Sequence, residues 1–155
     1  MTDSQRCLAA YGDPSTPAFE AKWLVRHPLP AAVIPHFPLY QGATKPTAVY
    51  MHKFATAALD AVLLELVATG LIKELHTYAG CREVRQKRGI GEWSIHSWGL
   101  ALDFDEKTEV LGGACHFSEA FLNVWRKHGW VCGADFIGRK DPMHFQYTKY
   151  FPAIA

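Results

Sequence analysis

Apolar residues recur at helical spacing between about Tyr50 and Thr69, where Leu59, Val62, Leu63 and Leu66 share one face and Gly70 stands at the stop position. A second helix is predicted after Ser118, an N-cap residue, through Phe121, Leu122 and Trp125 to a stop at Gly129. Strand patterns occupy the rest. Leu71 to Tyr78 reads as a strand, with further short strands expected near Trp130 and from Met143 to Tyr147. Along Leu100 to Asp105 the pattern alternates, so that Leu100, Leu102 and Phe104 fall on one face and Ala101, Asp103 and Asp105 on the other. The alternation returns at Met143, Phe145 and Tyr147, with His144 and Gln146 on the polar face.

From Tyr11 to Pro46 the pattern breaks. Pro14, Pro17, Pro28, Pro30, Pro35, Pro38 and Pro46 argue against long helices and central strands there. The interleaved Trp23, Phe37 and Tyr40 argue against a disordered linker, so residues 1–50 are expected to form an extended arm packed on a core made by residues 51–155. A chain of 155 residues, 49% hydrophobic and 20% charged, has the size and balance of one globular domain. With a net charge of +1 and no basic block, nucleic acid is not an expected partner. No stretch has the length of a membrane span, and the N-terminal run lacks the apolar centre of a signal peptide, so synthesis in the cytoplasm and no membrane insertion are expected. Cys7, Cys81, Cys115 and Cys132 include no Cys-x-x-Cys pair, and free thiols are expected.

Candidate chemistry collects on the two alternating strands. If they lie side by side, Asp103 and His144 share a surface, and His96 precedes the first strand by a short turn. Two imidazoles and a carboxylate would fill three positions of a tetrahedral Zn²⁺, leaving the fourth for water, and Asp141 is placed to take that water's proton. Gly99 would let the turn after His96 approach the metal closely, and Pro142 would fix the backbone between Asp141 and His144. Any one of these residues alone is more often a hydrogen-bonded structural group, but together they favour a metal site. His27, His36, His52, His76, His116 and His128 lack such an arrangement and are read as structural; Cys115 beside His116 is weak evidence for a metal.

The same residues carry a resemblance. Gly80-Cys81, Arg85, Arg88-Gly89, Trp93-Ser94, His96, Trp98-Gly99, Ala101, Asp103 and the run Asp141-Pro142-Met143-His144-Phe145 resemble the VanY-type branch of the M15 zinc peptidases, over roughly Leu71 to Tyr147. That family comprises D-alanyl-D-alanine carboxypeptidases and L-alanyl-D-glutamate endopeptidases, many of them phage endolysins. The resemblance implies an α+β fold, with a small antiparallel sheet bearing the site and helices packed on it. It implies His96, Asp103 and His144 as zinc ligands, Asp141 as general base, and an Arg that holds the scissile carbonyl. Arg85 is preferred for that role over Arg82. Ser94 is expected to order its loop or touch substrate, and Trp93, Trp98 and Trp130 are candidates to line a groove. Zn²⁺ is the implied cofactor, although Mn²⁺ or Co²⁺ could replace it in vitro. The implied partner is the peptidoglycan stem peptide, acted on by a monomer after release to the cell wall. The rival reading is a module that keeps the fold and binds peptidoglycan or a protein without chemistry.

Overall fold

The computed structural model describes residues 1–87 and 91–152. Its first element, Asp3–Tyr11 (α1), starts on a reciprocal cap in which Thr2 Oγ1 accepts from the Gln5 amide and Gln5 Oε1 accepts from the Thr2 amide. Thr16 caps Pro17–Trp23 (α2), and Pro17 occupies the first helical position, where a missing N–H breaks no bond. Leu24–Pro28 (β1), Leu39–Tyr40 (β2) and Ala48–His52 (β3) follow, with β1 and β3 paired antiparallel as a separate two-stranded sheet. The N-terminal segment is therefore not an extended arm. It carries two helices and a ladder, and Cys7, Tyr11, Phe19, Leu24, Leu29 and Val33 are buried in the same core as the rest of the chain.

The long helix, Thr56–Thr69 (α3), ends at Gly70 as predicted but starts later, because Val49 and Met51 alternate into the core as part of β3. Leu71–Glu74 forms a 3-10 turn instead of a strand, since Ile72 and Leu75, three apart, are the buried pair; the strand itself is Thr77–Gly80 (β4). Ala101–Phe104 (β5), Glu119–Lys127 (α4), Val131–Cys132 (β6) and His144–Gln146 (β7) complete the chain. Ser118 caps α4 through the Phe121 amide.

This α+β arrangement centres on a five-stranded sheet of order β2-β4-β5-β7-β6. The sheet is mixed, because β2 runs parallel to β4 while every other pair is antiparallel. One face of β5 and β7 puts Leu102, Phe104 and Phe145 against α4, where the Phe145 ring stacks on Trp125 at 4.3 Å. Side chains of this size each contribute about 1.5–3 kcal/mol by burial, so this face anchors the two strands that carry the site on their other face. No helix among the described residues is long and apolar enough to cross a membrane.

Candidate metal centre

The β5–β7 register sets Asp103 directly opposite His144 and Ala101 opposite Gln146. Across the other edge of β5, a bulge in β4 brings Gly80 alongside Asp103. His96 arrives from the 3-10 turn Ile95–Trp98, which Ser94 caps by accepting from the His96 amide. Gly99 closes that turn in a left-handed conformation (φ 69°). A Cβ there would lie 2.9 Å from the His52 amide nitrogen, so Gly99 is required by the approach of β3 and not, as the sequence suggested, by the metal.

His96 Nε2 lies 3.1 Å from Asp103 Oδ2, and His144 Nδ1 lies 3.2 Å from Asp103 Oδ1. These three residues form the group of potential ligands that comes together among the described residues, with donor atoms all within 4.8 Å of one another. Their far sides decide what the near sides carry. His96 Nδ1 is 2.7 Å from the Cys81 carbonyl oxygen, which only accepts, so Nδ1 holds the proton and Nε2 turns a bare lone pair toward Asp103. His96 Nε2 is buried without a hydrogen bond. His144 lies between two acceptors, Gln146 Oε1 at 2.8 Å from Nε2 and Asp103 Oδ1 at 3.2 Å from Nδ1; with the Nε2 proton held by Gln146, Nδ1 is the nitrogen that can give up its proton to a metal. Two imidazole nitrogens and a carboxylate thus converge in a largely buried space, an arrangement that a shared proton or a metal cation would hold together. Ligand atoms about 2.1 Å from a tetrahedral Zn²⁺ would be about 3.4 Å apart, close to both separations. The residues fit a metal ion.

Burial would push the Asp103 carboxyl up, but the neighbouring imidazoles, His144 before His96, prevail and hold it well below the usual carboxylate range. Burial likewise opposes a charged His144, yet Asp103, then Asp141 and Gln146, raise its pKa. Protons and a metal would therefore compete for the same lone pair. Asp141 is raised, chiefly by burial, with His144 and Arg85 opposing. Its Oδ2 is 3.9 Å from His144 Nδ1, and its Oδ1 is buried without a partner. Gly133 holds this acid in place: the Gly133 carbonyl accepts from the Asp141 amide at 3.0 Å, and a Cβ at Gly133 would collide with the Asp141 carbonyl oxygen.

The centre opens into a cleft of about 920 Å³ lined by Asp103, Asp141, His144, Ser94, Arg85 and Arg139, among others. Arg85 is held by its backbone, where Ser97 Oγ accepts from the amide and donates to the carbonyl, and its guanidinium remains 44% exposed with Glu83 3.3 Å away. Arg82, the other candidate, is turned elsewhere. Its side chain is 7% exposed and donates to Pro14 O and Glu20 Oε1, tying β4 to the N-terminal segment. Trp98 is not a substrate residue either, because it is fully buried and donates to Gly12 O at 2.9 Å. Trp130 is buried too, bonded to Ala58 O, while Trp93 is partly buried against the core. Arg88 and Gly89 lie outside the described residues.

Sequence reasoning missed Asp3, Lys87 and Arg139 in the cleft wall. Of these only Asp3 left a readable trace, the Thr2-x-x-Gln5 capping box that places it in the first turn of α1. Of the other histidines, His27 pairs with Asp60, His76 with Asp105, His116 with Glu109 and His128 with Glu65, His52 is buried among aromatic rings, and His36 is exposed. The four cysteines are free.

Three potential metal ligands beside an unpartnered acid, at the wall of a cleft, are an arrangement of the kind that metal-assisted hydrolases use. The peptidase M15 family described as D-alanyl-D-alanine carboxypeptidase matches residues 88–147, so this segment is similar to the M15 peptidases, which are zinc enzymes. The matched segment contains His96, Asp103, Asp141 and His144 but begins after Arg82 and Arg85. No curated protein and no solved structure matches the chain.

Proposed function

We propose that the protein is a zinc-dependent peptidase that hydrolyses an amide bond in the peptide stem of peptidoglycan, as an endolysin of a phage or prophage. The observation that carries this reading is the meeting of His96 Nε2, Asp103 and His144 Nδ1 beside the unpartnered, buried Oδ1 of Asp141. A Zn²⁺ held by the three ligands would supply Lewis acidity, polarising the scissile carbonyl and acidifying a water molecule. Asp141 takes the proton of the attacking water and passes it to the departing amine. Its raised pKa suits both tasks, because a carboxyl nearer neutrality both accepts and returns a proton readily. Arg85, on the cleft wall, holds the carbonyl oxygen as negative charge grows on it.

The test is mass spectrometry of purified peptidoglycan digested with the zinc-loaded protein and, in parallel, with chelator-treated protein. Released D-Ala identifies a carboxypeptidase, and cleavage between L-Ala and D-Glu an endopeptidase; in either case the product disappears with the metal. If several wall types yield no zinc-dependent product, the reading fails in favour of a binding module.

A further inference from the structure

Three side chains stand in line behind His144. Gln146 Oε1 is 2.8 Å from His144 Nε2, and Gln146 Nε2 donates to Asp3 Oδ2 and Thr148 Oγ1, each at 2.8 Å. Thr148 Oγ1 in turn donates to Asp3 Oδ2 at 3.2 Å. Gln146 and Thr148 are almost wholly buried. An amide side chain can sit either way round, and its orientation decides which nitrogen of a neighbouring imidazole keeps the proton. Here the choice is made at the far end. A carboxylate only accepts, so Asp3 draws the Gln146 NH₂ toward itself and leaves the oxygen facing His144. That oxygen accepts the Nε2 proton, so Nδ1, 3.2 Å from Asp103 Oδ1, is the nitrogen left to bind a metal. With the amide reversed, its N–H groups would face Nε2 and drive the proton onto Nδ1, where a metal could not bind.

We infer that Asp3 is a positioning residue for the metal centre: through Gln146 it sets the tautomer in which His144 presents Nδ1 as a ligand. The inference rests on the proposed metal site and extends it to α1, a segment outside the family match and more than a hundred residues from His144. It also gives α1 a task beyond packing. The Asp3 carboxylate is shared between Arg6, through Oδ1, and the Gln146–Thr148 pair, through Oδ2, so the first turn of the helix holds the relay at the cleft wall.

Partners of this kind behind a metal-bound histidine are commonly worth 10–100-fold in metal affinity. Zinc affinity by chelator competition is therefore expected to fall at least about tenfold in Asp3→Ala and in Gln146→Leu. In the metal-free protein, nitrogen-15 NMR is expected to show a protonated Nε2 on His144 in the wild type and partial loss of that proton in Asp3→Ala. The double variant D3N/Q146E exchanges donor and acceptor along the relay and is expected to restore both readouts toward wild type. A merely structural Asp3 would lower the melting temperature while leaving tautomer and affinity alone, and that result overturns the inference. If wild-type protein binds zinc and cleaves its substrate while Asp3→Ala binds as tightly, the inference fails and the proposed function stands. If the wild type binds no zinc at all, the proposed function fails, and the tautomer measurement still decides whether Asp3 orients Gln146.

Discussion

At the scale of the residue, the site works by what each ligand's far side touches. Cys81 O and Gln146 Oε1 accept from the far nitrogens of the two imidazoles, which leaves His96 Nε2 and His144 Nδ1 as the nitrogens available to the proposed metal. Asp141 differs from Asp103 in having an oxygen with no partner, which supports its proposed role as the group that moves a proton. Replacing it tests this. Asp141→Ala is expected to lower kcat by about 10²–10⁴-fold, the range for losing a general base, while zinc content by atomic absorption stays at the wild-type level. Unchanged turnover would reassign the proton transfer, and lost zinc would make Asp141 part of the metal cradle.

At the scale of the element, the site is mounted on strands whose inner faces are tightly packed and whose connecting loops are stapled by buried carboxylates. The segment between β5 and α4 folds around two of them. Asp105 accepts from the His76 and Thr77 amides, and Glu109 from the His116 and Phe117 amides, with the His116 ring 2.6 Å away. Glu109 is 1% exposed, so Glu109→Ala would strand two backbone donors away from water. At about 1–3 kcal/mol for each orphaned donor, the variant is expected to lose about 2–6 kcal/mol in urea unfolding. A loss below about 0.5 kcal/mol would mean that water replaces the carboxylate without penalty.

These elements also show what a sequence can and cannot disclose. Asp103 and His144 were legible because period-2 alternation assigns a face, and once two strands pair in register a shared face becomes a shared site. Ser118 and Gly70 were legible because caps are local. The helices α1 and α2 were obscured by a general rule about proline, although Thr16-Pro17 is a helix start and Thr2-x-x-Gln5 a capping box. Choosing between Arg82 and Arg85 needed the third dimension, because only the fold shows that Glu20 and Pro14 occupy the first. Trp98 failed as a groove residue for the same reason: its partner, Gly12 O, is distant in sequence.

At the scale of the whole molecule, the N-terminal segment and the site-bearing sheet share a core, and His52 lies where they join. Its ring stacks on Trp23 at 5.0 Å and lies 4.3 Å from Tyr11, and its backbone amide donates to Gly99 O at the end of the His96 turn. Nδ1 accepts from the Phe54 amide, and Nε2 is buried without a partner, so the ring is held neutral. Burial, with Lys53 adding to it, pushes its pKa down from 6.5 to about 3. Between those two values the unfolded chain binds a proton that the folded chain refuses. Acid therefore favours unfolding in that window, while above about pH 6.5 neither state binds the proton and His52 has no effect. Stability is expected to decline as pH falls from 6.5, with His52 contributing about 1.4 kcal/mol per pH unit once well below that value. Urea unfolding of the wild type and of His52→Asn across pH 4–7 isolates the contribution. The variant carries no titrating ring there, so its stability should depend on pH less steeply by about one proton's worth. Equal slopes would show that the ring charges within the fold, and that the junction between the N-terminal segment and the sheet admits water.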